Sequence, residues 1–291
     1  MAAGKSSSNE PTLRAMWLAE WLRSHREELK FTQEEVGDYL EKHRNTVRNF
    51  ESARFPIAPE DLNRLFDLYR IADEQERANL LQLREDVVHR GWTEVYKPYM
   101  TAGFADYVWL EGRARAMSQV DVDAIPGLLQ TKGYATALIS RGPQRDDLNQ
   151  VDRLIEARMM RKRIITGDSG STFRFLVAEA ALHQHVGGLE VMTEQLQQLL
   201  RQADSPNIEL RVLPLESWSH IAAGIPGGFT IFELSRPFPD VACMEVLAGA
   251  IFKESPDIDL VIDAFDAVWD DALSADETKD RISHLLAKDN R

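Results

Sequence analysis

Apolar residues recur at a helical spacing in the N-terminal part of the chain, with charged residues between them. Leu18, Trp21, Leu22 and Leu29 follow a period close to 3.6 residues within residues 13–30. This spacing places the four side chains near one face of a helix. The pattern therefore predicts an amphipathic helix over 13–30 whose apolar face is turned towards a core.

Two short helices joined by a tight turn are predicted to follow, over residues 32–51. Thr32 can cap the first of them, and Glu35, three residues later, completes a capping-box pattern. Gly37 leaves little side-chain bulk where the two helices must cross closely. The apolar residues of both helices form one shared seam. They are Val36 and Leu40 on the first helix, and Val47 and Phe50 on the second.

A loop marked by Pro56 and Pro59 separates these helices from a fourth, and a fifth helix is predicted over about residues 73–86. The inward-facing residues of the fourth helix are Leu62, Leu65, Phe66 and Tyr69. The N-terminal part of the chain is thus predicted to be a small, all-helical head.

The second short helix carries side chains that can read DNA. Arg44 and Arg48 lie one helical turn apart, together with Asn45 and Asn49. Arginine can bind O6 and N7 of guanine, and asparagine can bind N6 and N7 of adenine. The alternative is the solvated face of a helical bundle that does not bind DNA. We favour DNA, because an idle helix surface would more often hold Glu, Lys and Ala, which have high helix propensity.

Residues 12–70, approximately, resemble the lambda-repressor-like helix-turn-helix of the Cro/CI or XRE type. The resemblance rests on the dipeptide Thr32-Gln33, on Val47 fifteen residues after Thr32, and on Glu51 at the end of the recognition helix. It implies an α-helical DNA-binding domain in which Arg26 and Glu51 form a structural ion pair. The DNA contacts that it implies come from Gln33, Arg44, Asn45, Thr46, Arg48 and Asn49.

Two residues depart from the pattern of that family. Glu41 stands where glycine is usual, so it must adopt a left-handed conformation or reshape the turn. His43 stands where a small capping residue is common. Both departures lie in the turn before the recognition helix.

The composition changes after residue 90, where strand-like runs appear between helical stretches. Strands are predicted over residues 173–179, 208–214, 228–234 and 241–247. Helices are predicted over residues 104–120, 147–165, 189–203, 256–273 and 276–287. This mixture predicts an α/β or α+β domain with a mixed sheet, whose strand order the sequence does not fix.

Seven sequence blocks in this part are similar, in order, to the C-terminal domain that follows an XRE-type head in actinobacterial regulators. The strongest block is IPGLLQTKGYA at residues 125–135, and the others are Leu110-Glu111, VAEAAL, VGGLEVMTEQLQQLL, PNIELRVLP, GGFTIFEL and EVLAGAIF. That domain has long been described only as a domain of unknown function. Its members are treated as antitoxin-like transcriptional regulators, often encoded beside a small partner protein, and the resemblance implies such a partner here.

Residues 214–228 are the strongest candidate for a loop that faces a ligand or a partner. Trp218 and His220 offer an aromatic wall and a titrating group, and the glycines of this loop offer mobility. Glu111 and Glu179 lie in two of the seven blocks and could line the same cavity. The alternative is ordinary packing of the loop.

Neither a metal site nor a catalytic nucleophile has a sequence signature. His183, His185, His220 and Cys243 are scattered, and no HExxH or paired CxxC spacing connects them. The GxSxG pattern of a nucleophile elbow is missing from the sequence as well. We therefore expect no metal, no cofactor and no catalytic residue, and hence a protein that is not an enzyme.

Charged residues cluster at two places in the C-terminal part. Arg158, Arg161, Lys162 and Arg163 are interpreted either as a solvated helix end, favourable to the helix dipole, or as a second nucleic-acid site. The acidic residues within 254–277 are interpreted as the solvated side of helices or as a docking face for a basic partner. Such an acidic face would repel DNA.

The 291 residues exceed the usual size of one domain, and the hydrophobic fraction of 44% is enough for a substantial core. We expect a loose tail (1–11), a helix-turn-helix domain with a following helix (12–89), and a regulatory or partner-binding domain (90–291). No apolar run approaches the roughly 18 residues that a membrane span needs, and no signal sequence is recognisable. A single cysteine fits a reducing compartment, so a cytoplasmic protein is predicted.

The formal net charge of −13 argues against a chain that coats nucleic acid without regard to sequence, since phosphate affinity comes largely from Lys and Arg. One head should bind DNA weakly. A homodimer that binds a symmetric double-stranded operator with two heads is the usual way to increase the affinity. The sequence thus predicts a sequence-specific transcriptional regulator whose C-terminal domain senses a partner protein or ligand. The alternative is an antitoxin-like protein that chiefly holds a small partner protein, with DNA binding serving autoregulation.

Overall fold

A computed structural model describes residues 11–88, 96, 99, 103–142, 146–167, 170–222, 224–225, 227–246 and 249–289. The side chains of residues 220, 222 and 289 lie outside this description. The chain separates into two units after Glu94, and Arg236–Phe238 group with the first unit. Among the described residues, no helix is both long and apolar enough to cross a bilayer.

The first unit is an all-helical head, which confirms the predicted fold class of the N-terminal part. Its described helices are α1 (Leu13–Glu28), α2 (Gln33–Leu40), α3 (Arg44–Glu51), α4 (Pro59–Leu68) and α5 (Glu74–Val88). Local sequence signals define where they begin. The hydroxyl of Thr12 caps α1 by accepting from the amide of Ala15, the capping box of Thr32 and Glu35 starts α2, and Pro59 occupies the first position of α4.

The core of the head is the predicted apolar seam. Val36, Leu40, Val47 and Phe50 are buried, as are the inward residues of α4. Leu18 and Leu22 of α1 are buried too, but Leu29 is 40% exposed. The prediction for Leu29 was wrong because α1 ends at Glu28, so Leu29 follows the last helical turn and leaves the apolar face.

The second unit combines helices with a sheet, which confirms the predicted mixed class. Its described helices are α6 (Phe104–Arg113), α7 (Lys132–Ile139), α8 (Leu148–Arg161), α9 (Arg163–Thr166), α10 (Glu179–Leu182), α11 (Leu189–Gln202), α12 (Ser219–Ala222), α13 (Asp259–Asp270) and α14 (Ala275–Asp289), with a 3-10 turn at Gly127–Leu129. Its described strands are β1 (Ala116–Asp121), β2 (Thr172–Ala178), β3 (Ile208–Leu213), β4 (Gly228–Glu233), β5 (Val241–Val246) and β6 (Gly249–Glu254).

The six described strands form one mixed sheet in the order β3-β2-β1-β4-β5-β6. β1, β2 and β3 are parallel, whereas β4 is antiparallel to β1 and the remaining pairs are antiparallel. The direction of the sheet therefore changes between β1 and β4. The carboxyl ends of the three parallel strands lie together at one edge.

Strand β1 corrects the sequence analysis, which predicted one helix over residues 104–120. The helix ends at Arg113, and Ala116–Asp121 form a strand between β2 and β4. Four consecutive residues of this strand are buried, including Ser118 and Gln119. Because helices cover both faces of the sheet here, β1 lacks the polar-apolar alternation that identifies a strand.

Helices cover both faces of the sheet. On one face, Phe265 and Trp269 of α13 pack in a cluster with Val120 and Leu176. On the other face, Tyr107 of α6 contacts the ring of Phe232 and hydrogen-bonds the hydroxyl of Thr230 at 3.0 Å. The sheet is consequently the middle layer of the second unit.

Candidate nucleic-acid interface

Helix α3 is anchored by two apolar residues and turns its polar residues outwards. Val47 and Phe50 are buried in the head. Arg44, Asn45 and Arg48 are exposed, while Thr46 and Asn49 are partly exposed. The exposed guanidinium groups of Arg44 and Arg48 have no hydrogen bond or ion pair with any described residue. The arrangement leaves two cations and an amide on one accessible helix face.

The turn before α3 accommodates both departures from the helix-turn-helix pattern. Glu41 adopts a left-handed conformation, with φ 59° and ψ 40°, which costs a non-glycine residue about 1–2 kcal/mol. His43 caps α3, because its Nδ1 accepts a hydrogen bond from the amide of Asn45 at 3.1 Å. A Cβ on Gly37 would approach the carbonyl oxygen of Lys42 to 2.7 Å. Glycine at that position therefore lets the turn pass close to α2.

An ion pair ties the end of α3 to α1. Arg26 Nε donates to Glu51 Oε1 at 2.6 Å, and Arg26 Nη2 donates to Glu51 Oε2 at 3.0 Å. The Glu51 side chain is 3% exposed and the Arg26 side chain 11%. The hydrogen bonds from Arg26 to Glu51 raise the pKa of the guanidinium above its usual value, although burial opposes the shift. Two parallel hydrogen bonds of this kind fix orientation as well as distance.

Helix α2 joins the same network through Gln33. Its Nε2 donates to Glu51 Oε2 at 2.8 Å, and Arg26 Nη1 donates to the carbonyl of Phe31 at 2.9 Å. Gln33, which the resemblance places among the DNA contacts, is therefore also a structural neighbour of Glu51. The network couples α1, the loop before α2, and both helices of the helix-turn-helix.

Glu111, which belongs to α6 of the second unit, is buried. Its carboxylate receives two hydrogen bonds from Arg161, one of them from Nε at 2.8 Å. The Glu111 side chain is 0% exposed and the Arg161 side chain 4%. Burial raises the pKa of Glu111, with Arg161 opposing the shift. Glu111 thus belongs to a buried ion pair and is not among the described residues that line the cavity beside the loop at 214–228.

The basic cluster at the end of α8 is solvated only in part, since Arg161 is buried, Arg158 and Lys162 are partly buried and Arg163 is exposed. Its interpretation as a solvated helix end is therefore wrong for Arg161. Arg161 is buried on Glu111, and Arg158 Nη1 donates to Gln130 Oε1 at 3.0 Å. Lys162 Nζ donates to the carbonyl of Gln130 at 2.7 Å. A Cβ on Gly127 would come within 3.0 Å of the Arg158 guanidinium. These contacts explain part of the IPGLLQT block, because Gly127 and Gln130 make room for Arg158 and hold it.

Of the remaining ligand candidates, Glu179 lines a cavity, together with residues of the loop at 214–228. Trp218 lies in that loop and is 68% exposed, and the side chain of His220 lies outside the described residues. His183 Nε2 lies 3.5 Å from Glu179 Oε1. Burial raises the pKa of the Cys243 thiol to about 12. No three His, Cys, Asp or Glu side chains in the described part of the chain are grouped as a metal would require.

Comparison with known families agrees with this division of the chain. Residues 17–80 match a family model described as a helix-turn-helix domain, and residues 104–284 match one described as a domain of unknown function, DUF5753. No curated protein and no solved structure matches the chain. The helix-turn-helix domain suggests a DNA-binding regulator rather than an enzyme. Since the second match covers more than half of the 291 residues, the chain belongs to the DUF5753 family and carries a helix-turn-helix domain at its N-terminus.

Proposed function

We propose that this chain is a sequence-specific transcriptional regulator whose head is of the XRE type. The observation that carries the proposal is the face of α3, where Arg44 and Arg48 are exposed and make no hydrogen bond or ion pair with a described residue. Arg64 provides a contrast on the same head, because its guanidinium donates to backbone carbonyls, among them that of Leu40 at 3.3 Å. Guanidinium groups without an internal partner are available to phosphates or base edges.

The proposed DNA contacts divide between base edges and backbone. Arg44 and Asn45, at the start of α3, reach base edges in the major groove, as the first residues of a recognition helix do. Thr46, Arg48 and Asn49 contact either bases or phosphates, and Gln33, at the start of α2, contacts a phosphate. The network of Arg26, Gln33 and Glu51 supports this assignment, since it fixes the angle between α2 and α3.

We further propose that residues 12–89 bind the operator and that residues 90–291 regulate the head. The net charge of −13 and the small number of cations on α3 support binding as a homodimer, which doubles the phosphate contacts. The similarity of the C-terminal blocks to actinobacterial regulators supports the regulatory role. Binding of a ligand or partner to residues 90–291 would then change the affinity for the operator.

The proposal is tested by sequencing the DNA fragments that the purified full-length chain enriches, followed by gel-shift titration on the enriched site. Arg44→Ala and Asn45→Ala should each weaken specific binding by about 1–3 kcal/mol, the usual value of one bidentate base contact. Together they should abolish specific binding. Both side chains are exposed, so circular dichroism should show an unchanged fold.

Arg23→Ala and Asn63→Ala are matched controls, because they remove the same chemical groups from exposed positions of α1 and α4. Neither should change the titration by more than twofold. If no DNA sequence is enriched, the regulator is the wrong function. If Arg44→Ala binds the operator as tightly as Arg23→Ala does, α3 does not read the DNA.

A second candidate function is an antitoxin-like protein that holds a small basic partner. The specific observation is the outer side of α13, where Asp259, Asp263, Asp266 and Asp270 are exposed beside Leu260, which is 83% exposed. An acidic surface with an exposed apolar residue suits a basic partner with an apolar anchor. Co-purification with the product of an adjacent small reading frame tests it. Changing Asp263 and Asp266 to asparagine should then release that product, and its retention would argue against this surface.

A further inference from the structure

The carboxyl ends of the three parallel strands open into a cavity of about 560 Å³. Val122 and Asp123 follow β1, Glu179 follows β2, and Pro214 follows β3, and all four line it. Ser217 and Ile221, from the segment after β3, also line it. The volume lies within the roughly 300–1,000 Å³ that small-molecule sites occupy.

The position of the cavity in the sheet is one that favours ligand binding. β1 pairs in parallel with β2 on one side and antiparallel with β4 on the other. In open sheets of this kind, ligands bind outside the carboxyl ends of parallel strands where the strand arrangement changes. The cavity meets the first condition, and it lies beside β1, where the parallel part of the sheet ends.

From this geometry we propose that the cavity binds a small organic cation, a primary amine on an apolar body. Val122, Ile221 and Ile225 supply apolar walls, and Asp123 and Glu179 supply two carboxylates. The lining residues include no Lys, Arg or His among those described. Arg281 already pairs with Glu179, so the ion pair that an amine gains here is chiefly with Asp123. A carboxylate of the same shape meets like charge at Asp123.

Glu179 is built into the site as a buried carboxylate. It is 4% exposed, and its Oε2 accepts from the amide of Leu215 at 3.1 Å and from Arg281. Its Oε1 has one long contact with a described residue, His183 Nε2 at 3.5 Å, and so can still accept a donor. Burial would raise the pKa of Glu179, but the hydrogen bonds from Arg281 and Leu215 lower it, so the group stays ionised.

The contacts of Glu179 connect the cavity to the segment that follows β3. Leu215, whose amide binds Glu179, precedes Ser217, and the hydroxyl of Ser217 donates to Asp271 at the end of α13. An amine that binds Glu179 Oε1 would therefore contact the same carboxylate that holds the backbone of Leu215 through its other oxygen. This coupling rests on the proposed regulatory function, whereas amine binding itself does not.

Isothermal titration calorimetry of the full-length chain tests the proposal with three probes of one shape. Phenethylamine should bind, 2-phenylethanol should bind at least tenfold more weakly, and phenylacetate should show no binding. Asp123→Asn should weaken phenethylamine binding at least fivefold, because it removes an exposed lining carboxylate. Glu179→Gln should weaken it further, with folding checked by circular dichroism because Arg281 loses its charged partner.

Asp257→Asn is the matched control, since it removes an exposed carboxylate that does not line the cavity. The inference is overturned if phenethylamine does not bind, if phenylacetate binds as tightly, or if Asp123→Asn behaves like Asp257→Asn. Operator titrations without amine separate this result from the proposed function. Intact operator binding without amine binding rejects the cavity alone, and amine binding without operator binding rejects the regulator alone.

Discussion

Arg26→Ala will destabilise the head by about 3–5 kcal/mol, the cost of removing one partner from a buried ion pair. The substitution leaves the carboxylate of Glu51, whose side chain is 3% exposed, with Gln33 as its remaining side-chain hydrogen-bond donor among the described residues. It also removes the hydrogen bond to the carbonyl of Phe31. Because Glu51 is the last residue of α3, the loss of stability should appear first as local unfolding of α2 and α3.

Hydrogen exchange of the full-length chain, read by mass spectrometry on peptides from α1 to α3, measures this loss as a lower free energy of opening. Arg23→Ala is the control: its ion pair with Glu20 is about half exposed on both sides and should contribute less than about 1 kcal/mol. Replacing Arg26 with Met and Glu51 with Leu together should recover most of the stability, since no buried charge remains. Equal effects of Arg26→Ala and Arg23→Ala would show that the pair with Glu51 is not a structural anchor.

The head was predictable because its signals are local or have a fixed spacing. The capping box at Thr32 and Glu35 starts α2, and the apolar seam from Val36 to Phe50 returns at helical intervals. Even for Glu41 the sequence left only a left-handed conformation or a reshaped turn, and the residue adopts the left-handed conformation. These features depend on residues that are close in the sequence, so the pattern of the sequence is enough to predict them.

The C-terminal domain was predictable only in class, because its arrangement depends on distant partners. β1 was missed since Ser118 and Gln119 are polar yet buried in the middle of the sheet. The cavity draws its lining from the ends of three strands that are far apart in the sequence. A period of two or 3.6 residues identifies a strand or helix but not which strand lies beside it.

The buried ion pair shows most clearly that contacts between residues distant in the sequence could not be predicted. Glu111 and Arg161 are separated by 50 residues, and each looks like a surface residue in its own segment. From the sequence, Glu111 is therefore a residue that could line a ligand cavity, and Arg161 is interpreted as part of a solvated helix end or of a second nucleic-acid site. Their contact follows from the packing of α6 beside α8, which no local pattern describes.

Arg161→Met will destabilise the C-terminal domain by about 3–5 kcal/mol, because it leaves the fully buried carboxyl group of Glu111 without its partner. The guanidinium is also centred 5.0 Å from the ring of Phe104 and 5.4 Å from that of Tyr107, so the substitution removes two cation–π contacts. Burial would lower the pKa of Arg161, but Glu111, with smaller contributions from Tyr107 and Glu245, raises it. Thermal unfolding and hydrogen exchange of α6 and α8 measure the loss.

Arg163→Ala separates this buried pair from a general effect of positive charge near the end of α8. Arg163 lies two residues after Arg161 but is exposed, so its removal should change stability by less than about 0.5 kcal/mol. Glu111→Leu combined with Arg161→Met should restore most of the lost stability, because the pair is replaced by apolar side chains of similar size. If Arg161→Met were as mild as Arg163→Ala, Arg161 would be a solvated cation and Glu111 would be free for the ligand role that its sequence block suggested. If Arg161→Met is severe and the double variant is stable, the Leu110-Glu111 block is a packing element, and ligand recognition must come from carboxylates that reach the cavity, such as Asp123 and Glu179.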